Sequence, residues 1–391
     1  MQRIGTSLQL SASDLVGYLN CRHLTSLDRS VADGALKKPS VWDPLLDILW
    51  ERGSIHEQNY IDHLRKAGHD IVEIHGGGID QAIADQTFQA MRAGAEIIVQ
   101  GAFLREGWGG RTDVLRRVSI PSDLGDWSYE VTDTKLARET KGGAILQLCL
   151  YSDLVSTVQG RMPEYMHVVT PWSNFEPQTF RIADYGAYYR KVKRGLEQSL
   201  TDNTIEDTYP DPKQHCDICR WYWDCDARRR QDDHLCLVAG ITKVQINELK
   251  RRGIGTMAEL AEVPLPLAWK PDRGAAKSYE RIREQARVQI QGRTTGRPVY
   301  ETLPLAPGFG LTRLPFPSAG DVFLDLEGDP FVGDGGFEYL FGCVFTSADG
   351  TQTYKADWAL SREDEKRRGL LARLEGRGMG ARVQVNSGHQ S

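Results

Sequence analysis

The spacing of the cysteines after residue 215 constrains the fold of this chain more than any other feature. Cys216, Cys219 and Cys225 form a C-x2-C-x5-C pattern. A structural zinc centre or a cubane iron–sulfur cluster needs four ligands, so these three thiolates leave one position unfilled. Cys21, far upstream, is a candidate for the fourth. If Cys21 is the ligand, the fold must bring the start of the chain beside residues 216–225.

A second solution, in which all ligands are local, stays open. Zinc would then be held by thiolates with or without an imidazole, drawn from Cys216, Cys219, Cys225, Cys236, His215 and His234. A disulfide framework is disfavoured, because the N-terminus lacks the charged start and apolar stretch of a signal peptide. Cys149 and Cys343 lie within apolar runs and are predicted to be buried small side chains.

The composition is that of an ordinary globular protein. Of the 391 residues, 40% are hydrophobic and 26% are charged, and this length predicts more than one domain. No apolar run approaches the ~20 residues that a membrane helix needs, so we expect a cytoplasmic protein without a membrane partner. The net charge of −5 does not by itself indicate a nucleic-acid-binding protein, but such binding surfaces are local.

Hydrophobic periodicity predicts helices that alternate with strands in the first part of the chain, which indicates an α/β fold. The predicted elements are helices over 11–19, 44–66 and 143–158, and strands over 97–104, 110–118 and 128–136.

Four segments are predicted along the chain. Residues 1–236 form the α/β domain with the cysteines. Residues 237–262 resemble a helix-hairpin-helix, with a glycine turn and two capping boxes, Thr242 with Gln245 and Thr256 with Glu259. Residues 263–320 predict a linker crossed by one helix. Residues 321–391 start with a strand and end, from about Glu375, in a tail that we expect to be disordered.

The strand 128–136 carries the residues that favour phosphodiester hydrolysis. Alternation along the strand puts Asp133 and Lys135 on one face and turns Glu130 to the other. Asp113, on the preceding strand, would be delivered beside Asp133 by a hairpin. Carboxylates of this kind bind divalent metal, and a lysine can orient water or offset phosphate charge. A D-x-K pattern alone is most often a surface pair, so its surroundings matter.

Two further motifs flank this strand. Upstream, a predicted helix carries Gly53-Ser54-Ile55-His56-Glu57. Downstream, Gln147 and Tyr151 lie four residues apart and therefore on one face of the next helix. Read alone, His56 is most simply an ordinary helix histidine.

In this order, the motifs resemble those of the RecB-like branch of the PD-(D/E)XK nucleases, which have a restriction-endonuclease-like core. The resemblance implies Mg²⁺ or Mn²⁺ held by His56, Asp113 and Asp133, with Asp113 and Asp133 acting in catalysis beside Lys135. It also implies that Gln147 and Tyr151 border DNA. The second carboxylate is Asp where many members have Glu, which leaves the metal preference open.

The cysteine layout resembles RecB-like nucleases with an iron–sulfur staple, in which one cysteine precedes the nuclease core and C-x2-C-x5-C follows it. The resemblance implies a 4Fe–4S cluster on Cys21, Cys216, Cys219 and Cys225. Cys236 is not a ligand in this pattern. Such a cluster would close a loop of almost the whole domain and is expected to be structural.

The strand that begins at Asp321 resembles the opening of an RNase H-like domain, with Asp325 and Glu327 placed as metal ligands. The remaining residues are too few for that fold, and we expect a truncated, catalytically inert unit. No G-x-x-x-x-G-K-[ST] pattern occurs, so ATP-driven unwinding would need a helicase supplied by another chain.

The sequence thus predicts a metal-dependent DNA nuclease that acts on single strands or duplex ends. The alternative is a non-catalytic module, stapled by iron–sulfur or zinc, that binds nucleic acid without cutting it.

Overall fold

The computed structural model describes residues 1–40, 44–137, 139–201, 208–318, 320–329, 332, 336–347, 349–367 and 384–385. They belong to two units, Met1–Glu301 and Thr302–Ser391, so the second unit begins earlier than the predicted boundary at residue 321. The architecture is mixed α/β. None of the described helices combines the length and the apolar character needed to cross a membrane.

The first unit contains ten helices and ten strands among its described residues. The helices are α1 Ala12–Asn20, α2 Arg22–Ala32, α3 Pro44–Lys66, α4 Gln81–Arg92, α5 Gly142–Gln159, α6 Ile182–Thr201, α7 Tyr222–Gln231, α8 Lys243–Arg251, α9 Met257–Ala261 and α10 Ala276–Thr295. The strands are β1 Gln2–Ile4, β2 Ser7–Gln9, β3 Ile71–Glu73, β4 Ile97–Val99, β5 Ala102–Arg105, β6 Trp108–Arg111, β7 Val114–Val118, β8 Ser128–Thr134, β9 Tyr165–Val169 and β10 Gln178–Arg181.

A six-stranded sheet in the order β10-β9-β8-β7-β4-β3 forms the centre of this unit. β8 pairs antiparallel with β7 and parallel with β9, and α5 makes the crossover between β8 and β9. Alternate residues of the strands point to opposite faces. Leu115 and Val131 join the core with α5, whereas Val114 and Val169 pack with Tyr60 of α3.

α5 is the most deeply buried helix of the site region, and its sequence explains why. Apolar residues occur on all sides of it, as is typical of a helix surrounded by the rest of a core. It contacts α1, α6 and β8. Because α5 follows β8 directly, its N-terminal residues lie at the end of β8 where the predicted site residues are placed.

The structure corrects the three predicted strands. Residues 97–104 form β4 and β5, not one strand, because Gln100 adopts a left-handed conformation with φ 58°. Residues 110–118 are likewise divided between β6 and β7, and Asp113 lies in the gap. The strand predicted over 128–136 ends at Thr134, so Lys135 follows the strand instead of lying within it.

Residues after 236 form a small helical core within the first unit. Both predicted capping boxes are confirmed, at Thr242 and at Thr256. The one helix predicted within residues 263–320 is observed as α10, but it does not belong to a free linker, because it buries Tyr279 and Ile282 against Leu249 and other residues of the hairpin. The sequence does not indicate this packing, because the apolar residues of α10 are widely spaced among charged ones.

The second unit contains a four-stranded sheet in the order β13-β12-β11-β14. These strands are β11 Val322–Asp329, β12 Phe337–Thr346, β13 Gln352–Trp358 and β14 Gln384–Val385. β14 runs parallel to β11, whereas the others pair antiparallel. Of the tail expected to be disordered from about Glu375, only residues 384–385 are described, and they form a strand; the rest lies outside the described residues.

Candidate functional site

Asp113, Asp133 and Lys135 come together at the end of β8. The antiparallel pairing of β7 with β8 places Asp113 beside the last residues of β8. Its Oδ2 accepts hydrogen bonds from the backbone N–H of Thr134 at 2.7 Å and from its hydroxyl at 2.9 Å. Lys135 Nζ lies 2.5 Å from Asp133 Oδ2. The structure therefore juxtaposes these three predicted site residues.

Burial makes the Asp133 carboxylate costly to ionise. Desolvation, and then the nearby Asp113 carboxylate, raise its pKa to about 7 against the opposing charge of Lys135. Its Oδ2 has no aligned hydrogen-bond donor, although the Lys135 ammonium touches it. Burial lowers the pKa of Lys135, but the carboxylates of Asp133 and Asp113 outweigh this effect and raise it. Lys135 thus keeps its proton at neutral pH.

Glu57 on α3 belongs to the same electrostatic cluster. Its pKa is raised by burial and then by the Asp113 carboxylate, while Lys135 acts in the opposite direction. The side-chain amide of Gln100 donates a hydrogen bond to it. Glu57 belongs to the motif on α3 from which only its neighbour His56 is predicted as a metal ligand. The signal that could have identified Glu57 is that a carboxylate, unlike an imidazole, matches the oxygen ligands that Mg²⁺ prefers.

His56 lies nearby but is held by the backbone. Its Nε2 is 3.1 Å from the carbonyl oxygen of Val169, the same oxygen that accepts the Lys135 backbone N–H at 3.0 Å. The ring stacks on Phe175. Only Nδ1 remains for any metal. Over the described part of the chain, no three His, Cys, Asp or Glu side chains are grouped so as to hold a metal ion.

Gln147 contacts both Asp133 and Tyr151. Gln147 Nε2 lies 3.4 Å from Asp133 Oδ1 and donates to the Tyr151 hydroxyl at 3.1 Å. Tyr151 is buried, and burial raises its pKa. A Cβ on Gly110 would lie 2.8 Å from the Tyr151 ring, so the glycine of the G-x-x-D motif makes room for this tyrosine. These contacts hold Asp133 in place.

Glu130 is turned away from the cluster, toward β9. His167 Nε2 lies 3.0 Å from Glu130 Oε2, and the backbone N–H of Tyr165 donates to Glu130 Oε1 at 3.1 Å. This carboxylate therefore has partners of its own and a structural environment.

One open cleft of about 770 Å³ is lined by Lys135 of the carboxylate–lysine cluster and by Cys219 of the cysteine pattern. Lys141, Gln147 and Arg220 also line it. Lys135 lines the cleft and its side chain is 31% exposed, whereas Asp133, which its ammonium contacts, is fully buried. The cleft could admit an extended ligand to the cluster.

Cys21, Cys216, Cys219 and Cys225 line one small cavity. Cys21 lies between α1 and α2, and Cys225 lies on α7, so the cavity joins the two ends of the α/β region. Burial, and then the charges of Cys219, Cys21 and Cys216, raise the pKa of Cys225 to about 11 against the opposing charge of Arg229. Four thiols on one cavity are the number of donors that a cluster or a zinc centre needs, although in the described part of the chain they are not grouped closely enough to hold a metal ion.

The other candidate ligands are placed differently. His215 also lines this cavity, whereas Cys236 is not one of its described lining residues. The Cys236 backbone N–H donates to His234 Nδ1 at 3.1 Å, and His234 Nε2 lies 2.8 Å from Lys250 Nζ. Both His234 nitrogens are thus engaged. A local zinc site through Cys236 or His234 would require rearrangement.

Asp325 and Glu327 are exposed on β11. They lie on one side of the strand, as their spacing predicts, opposite Gly342 and Leu340 of β12.

Comparison with protein-family models and with curated proteins finds no match to this chain.

Proposed function

We propose that this chain is a metal-dependent DNA nuclease of the RecB-like type, acting on single strands or duplex ends. The observation that carries the proposal is the convergence of Asp113, Asp133 and Lys135, of which Lys135 lines an open cleft. A lysine beside paired carboxylates is the arrangement that phosphodiester hydrolysis needs. The resemblance of the four ordered motifs to those of that family supports the same proposal.

The carboxylates of Asp113 and Asp133 would bind Mg²⁺ or Mn²⁺, with Glu57 as a further oxygen donor and His56 through Nδ1. The raised pKa of Asp133 supports this assignment, because a buried carboxylate without an aligned donor gains most from a cation. Bound metal would supply positive charge that polarises the phosphate.

Lys135 would act directly on the substrate. Its ammonium stays protonated and faces the cleft, so it can donate a hydrogen bond to a phosphate oxygen or orient the attacking water. Gln147 would be a positioning residue, because it contacts Asp133 and lines the cleft.

The four-thiol cavity would hold a 4Fe–4S cluster with a structural role. Such a cluster supplies iron–thiolate bonds that tie the α1–α2 junction to α7. The layout of one early cysteine and a later C-x2-C-x5-C favours this cluster over zinc. A tie between positions so far apart in sequence restricts the unfolded chain strongly.

The nuclease proposal is tested with the purified full chain and labelled single-stranded and duplex DNA. Cleavage should require Mg²⁺ or Mn²⁺ and stop with EDTA. Asp113→Asn should remove both cleavage and metal binding by calorimetry, whereas Glu130→Gln, in which the side chain keeps its hydrogen-bonding shape, should cleave normally. Loss of cleavage in Glu130→Gln with activity in Asp113→Asn would refute the site.

The cluster is tested by metal analysis and visible absorption. The chain should be brown and contain iron and sulfide. Cys21→Ala should lose the iron, and Cys236→Ala, the matched cysteine outside the cavity, should retain it. Iron retained in Cys21→Ala but lost in Cys236→Ala, or zinc in place of iron, would contradict the assignment.

The second candidate, a non-catalytic nucleic-acid-binding module, is favoured by one observation. Lys135 Nζ contacts Asp133 directly and so neutralises the carboxylate that a metal would need. In that case the Lys135–Asp133 pair is structural, metal binding is undetectable, and DNA is bound without being cut.

A further inference from the structure

A second groove lies on the other side of α1 from the cleft. Gly17 and Asn20 of α1 line the cleft, whereas Tyr18 and Leu19 line the groove, which has a volume of about 510 Å³. Its opposite wall is one face of α6. The groove is therefore separate from the surface that carries the carboxylate–lysine cluster.

The groove is lined by cations that lack acidic partners. Arg22, Lys191 and Arg194 are exposed, and none of them forms an ion pair with any described residue. Lys193 of the same helix, by contrast, is paired with Asp153 at 2.8 Å. In a chain of net charge −5, this concentration of unpaired positive charge is a local attraction for anions.

Aromatic rings lie among these cations. Tyr188 is 53% exposed on the α6 wall. Tyr18 is buried in the floor, where Gly195 leaves room for its hydroxyl, and the Arg22 guanidinium stacks over its ring at 5.4 Å from the centroid. Arg22 is thereby held in position. An exposed ring beside ordered cations is the combination with which proteins bind single-stranded nucleic acid.

We propose that this groove binds single-stranded DNA, with phosphates on Arg22, Lys191 and Arg194 and a base stacked on Tyr188. The inference deepens the proposed nuclease function and rests on it for the identity of the nucleic acid. It adds a contact outside the catalytic cleft that retains a strand while its end is cut.

The test measures DNA binding by fluorescence anisotropy with labelled oligothymidylate, in the full chain carrying Lys135→Ala so that the probe stays intact. Lys191→Glu with Arg194→Glu should weaken binding at least tenfold. The slope of log Kd against log salt should fall by about 1.4, since each phosphate contact on a single strand contributes about 0.7. The matched control is Lys66→Glu with Arg161→Glu, the same charge change at exposed cations elsewhere on the first unit.

Substitutions of Tyr188 provide an independent test of the groove. Tyr188→Ala should weaken binding roughly tenfold without changing the salt slope, and Tyr188→Phe should restore it, because stacking needs only the ring. Equal weakening in the groove and control variants, or wild-type binding by Tyr188→Ala, would overturn the proposal. So would binding of polyglutamate as tight as that of oligothymidylate, which would indicate an acidic protein partner.

The nuclease proposal and the groove proposal can be refuted separately. A chain that never cleaves DNA but binds it through the groove refutes the nuclease and keeps the groove. A chain that cleaves DNA and binds it independently of Tyr188, Lys191 and Arg194 does the reverse.

Discussion

Two strands of this chain offer a pair of charged side chains two residues apart. Asp133 lies on β8 and Lys135 directly follows this strand, whereas Asp325 and Glu327 both lie on β11. In β8 the carboxylate is fully buried, its pKa is raised to about 7, and a lysine touches it. In β11 both carboxylates are exposed. The two strands thus provide two different environments, and only the first stores unfavourable electrostatic energy that a cation can relieve.

The difference arises from what covers each strand. α5 and the loop containing Asp113 close over the end of β8, and Gln147 contacts Asp133 from behind. On β11, Asp325 pairs with Gly342 of β12 and Glu327 pairs with Leu340. Among the described residues, both carboxylates stay exposed. Spacing along a strand therefore identifies a candidate, while burial and neighbouring charge make it a site.

The largest expected effect concerns Lys135. Lys135→Ala should reduce the cleavage rate by about 10³-fold or more, because it removes a charge placed to act on the phosphate. DNA binding and iron content should remain. Lys141→Ala, which removes another lysine of the same cleft, should change the rate only modestly. Similar losses in both variants, measured in single-turnover assays, would mean that general cleft charge accounts for the effect.

Much of the β8 site could be predicted from the sequence, because it depends on local rules. The α3 bounds 44–66 followed from periodicity, and the hairpin delivering Asp113 followed from two adjacent strands. Glu57 was not assigned, since its approach to Asp113 depends on how α3 packs across the sheet. The break at Gln100 was also missed, because a left-handed non-glycine residue leaves no clear mark in a sequence.

The helical part after residue 236 shows the same limit. Capping boxes are local, and both were predicted correctly. The burial of α10 is a tertiary property: Glu248 of α8 accepts a hydrogen bond from the Tyr279 hydroxyl at 2.8 Å, a contact that no spacing rule indicates.

Glycine substitutions on β6 and β12, beside the two pairs of acidic residues, test how tightly each region is packed. Gly110→Ala should lower the free energy of unfolding by about 1–3 kcal/mol, because its Cβ would meet the buried Tyr151 ring at 2.8 Å. Gly342→Ala on β12 should cost less, since the Tyr354 hydroxyl that it meets belongs to a side chain that is 63% exposed and able to move. Chemical denaturation of both variants gives the comparison. Equal costs would show that the two environments do not differ in packing.

The pH dependence of stability should also distinguish β8. The folded-state pKa of Asp133, about 7, lies above its unfolded value of 3.8, so between these pH values the folded chain binds more protons than the unfolded one. Stability of the metal-free chain should therefore fall as pH rises through this window. Asp133→Asn should flatten that fall in thermal melts by several degrees. If the melting temperature depends on pH in the same way in both proteins, the pKa of Asp133 is not raised in the folded chain.

The smallest effect is expected at β11. Asp325→Ala should leave cleavage, metal binding and the melting temperature unchanged, because the carboxylate is exposed. Glu327→Ala serves as the paired control on the same strand face, and it should be equally silent. The assays are those used for Lys135→Ala, run with Mg²⁺ and with Mn²⁺. A clear loss of cleavage in either variant would show that β11 contributes a second site, completed by residues outside those described or by a partner chain, and that burial is not what separates the two strands.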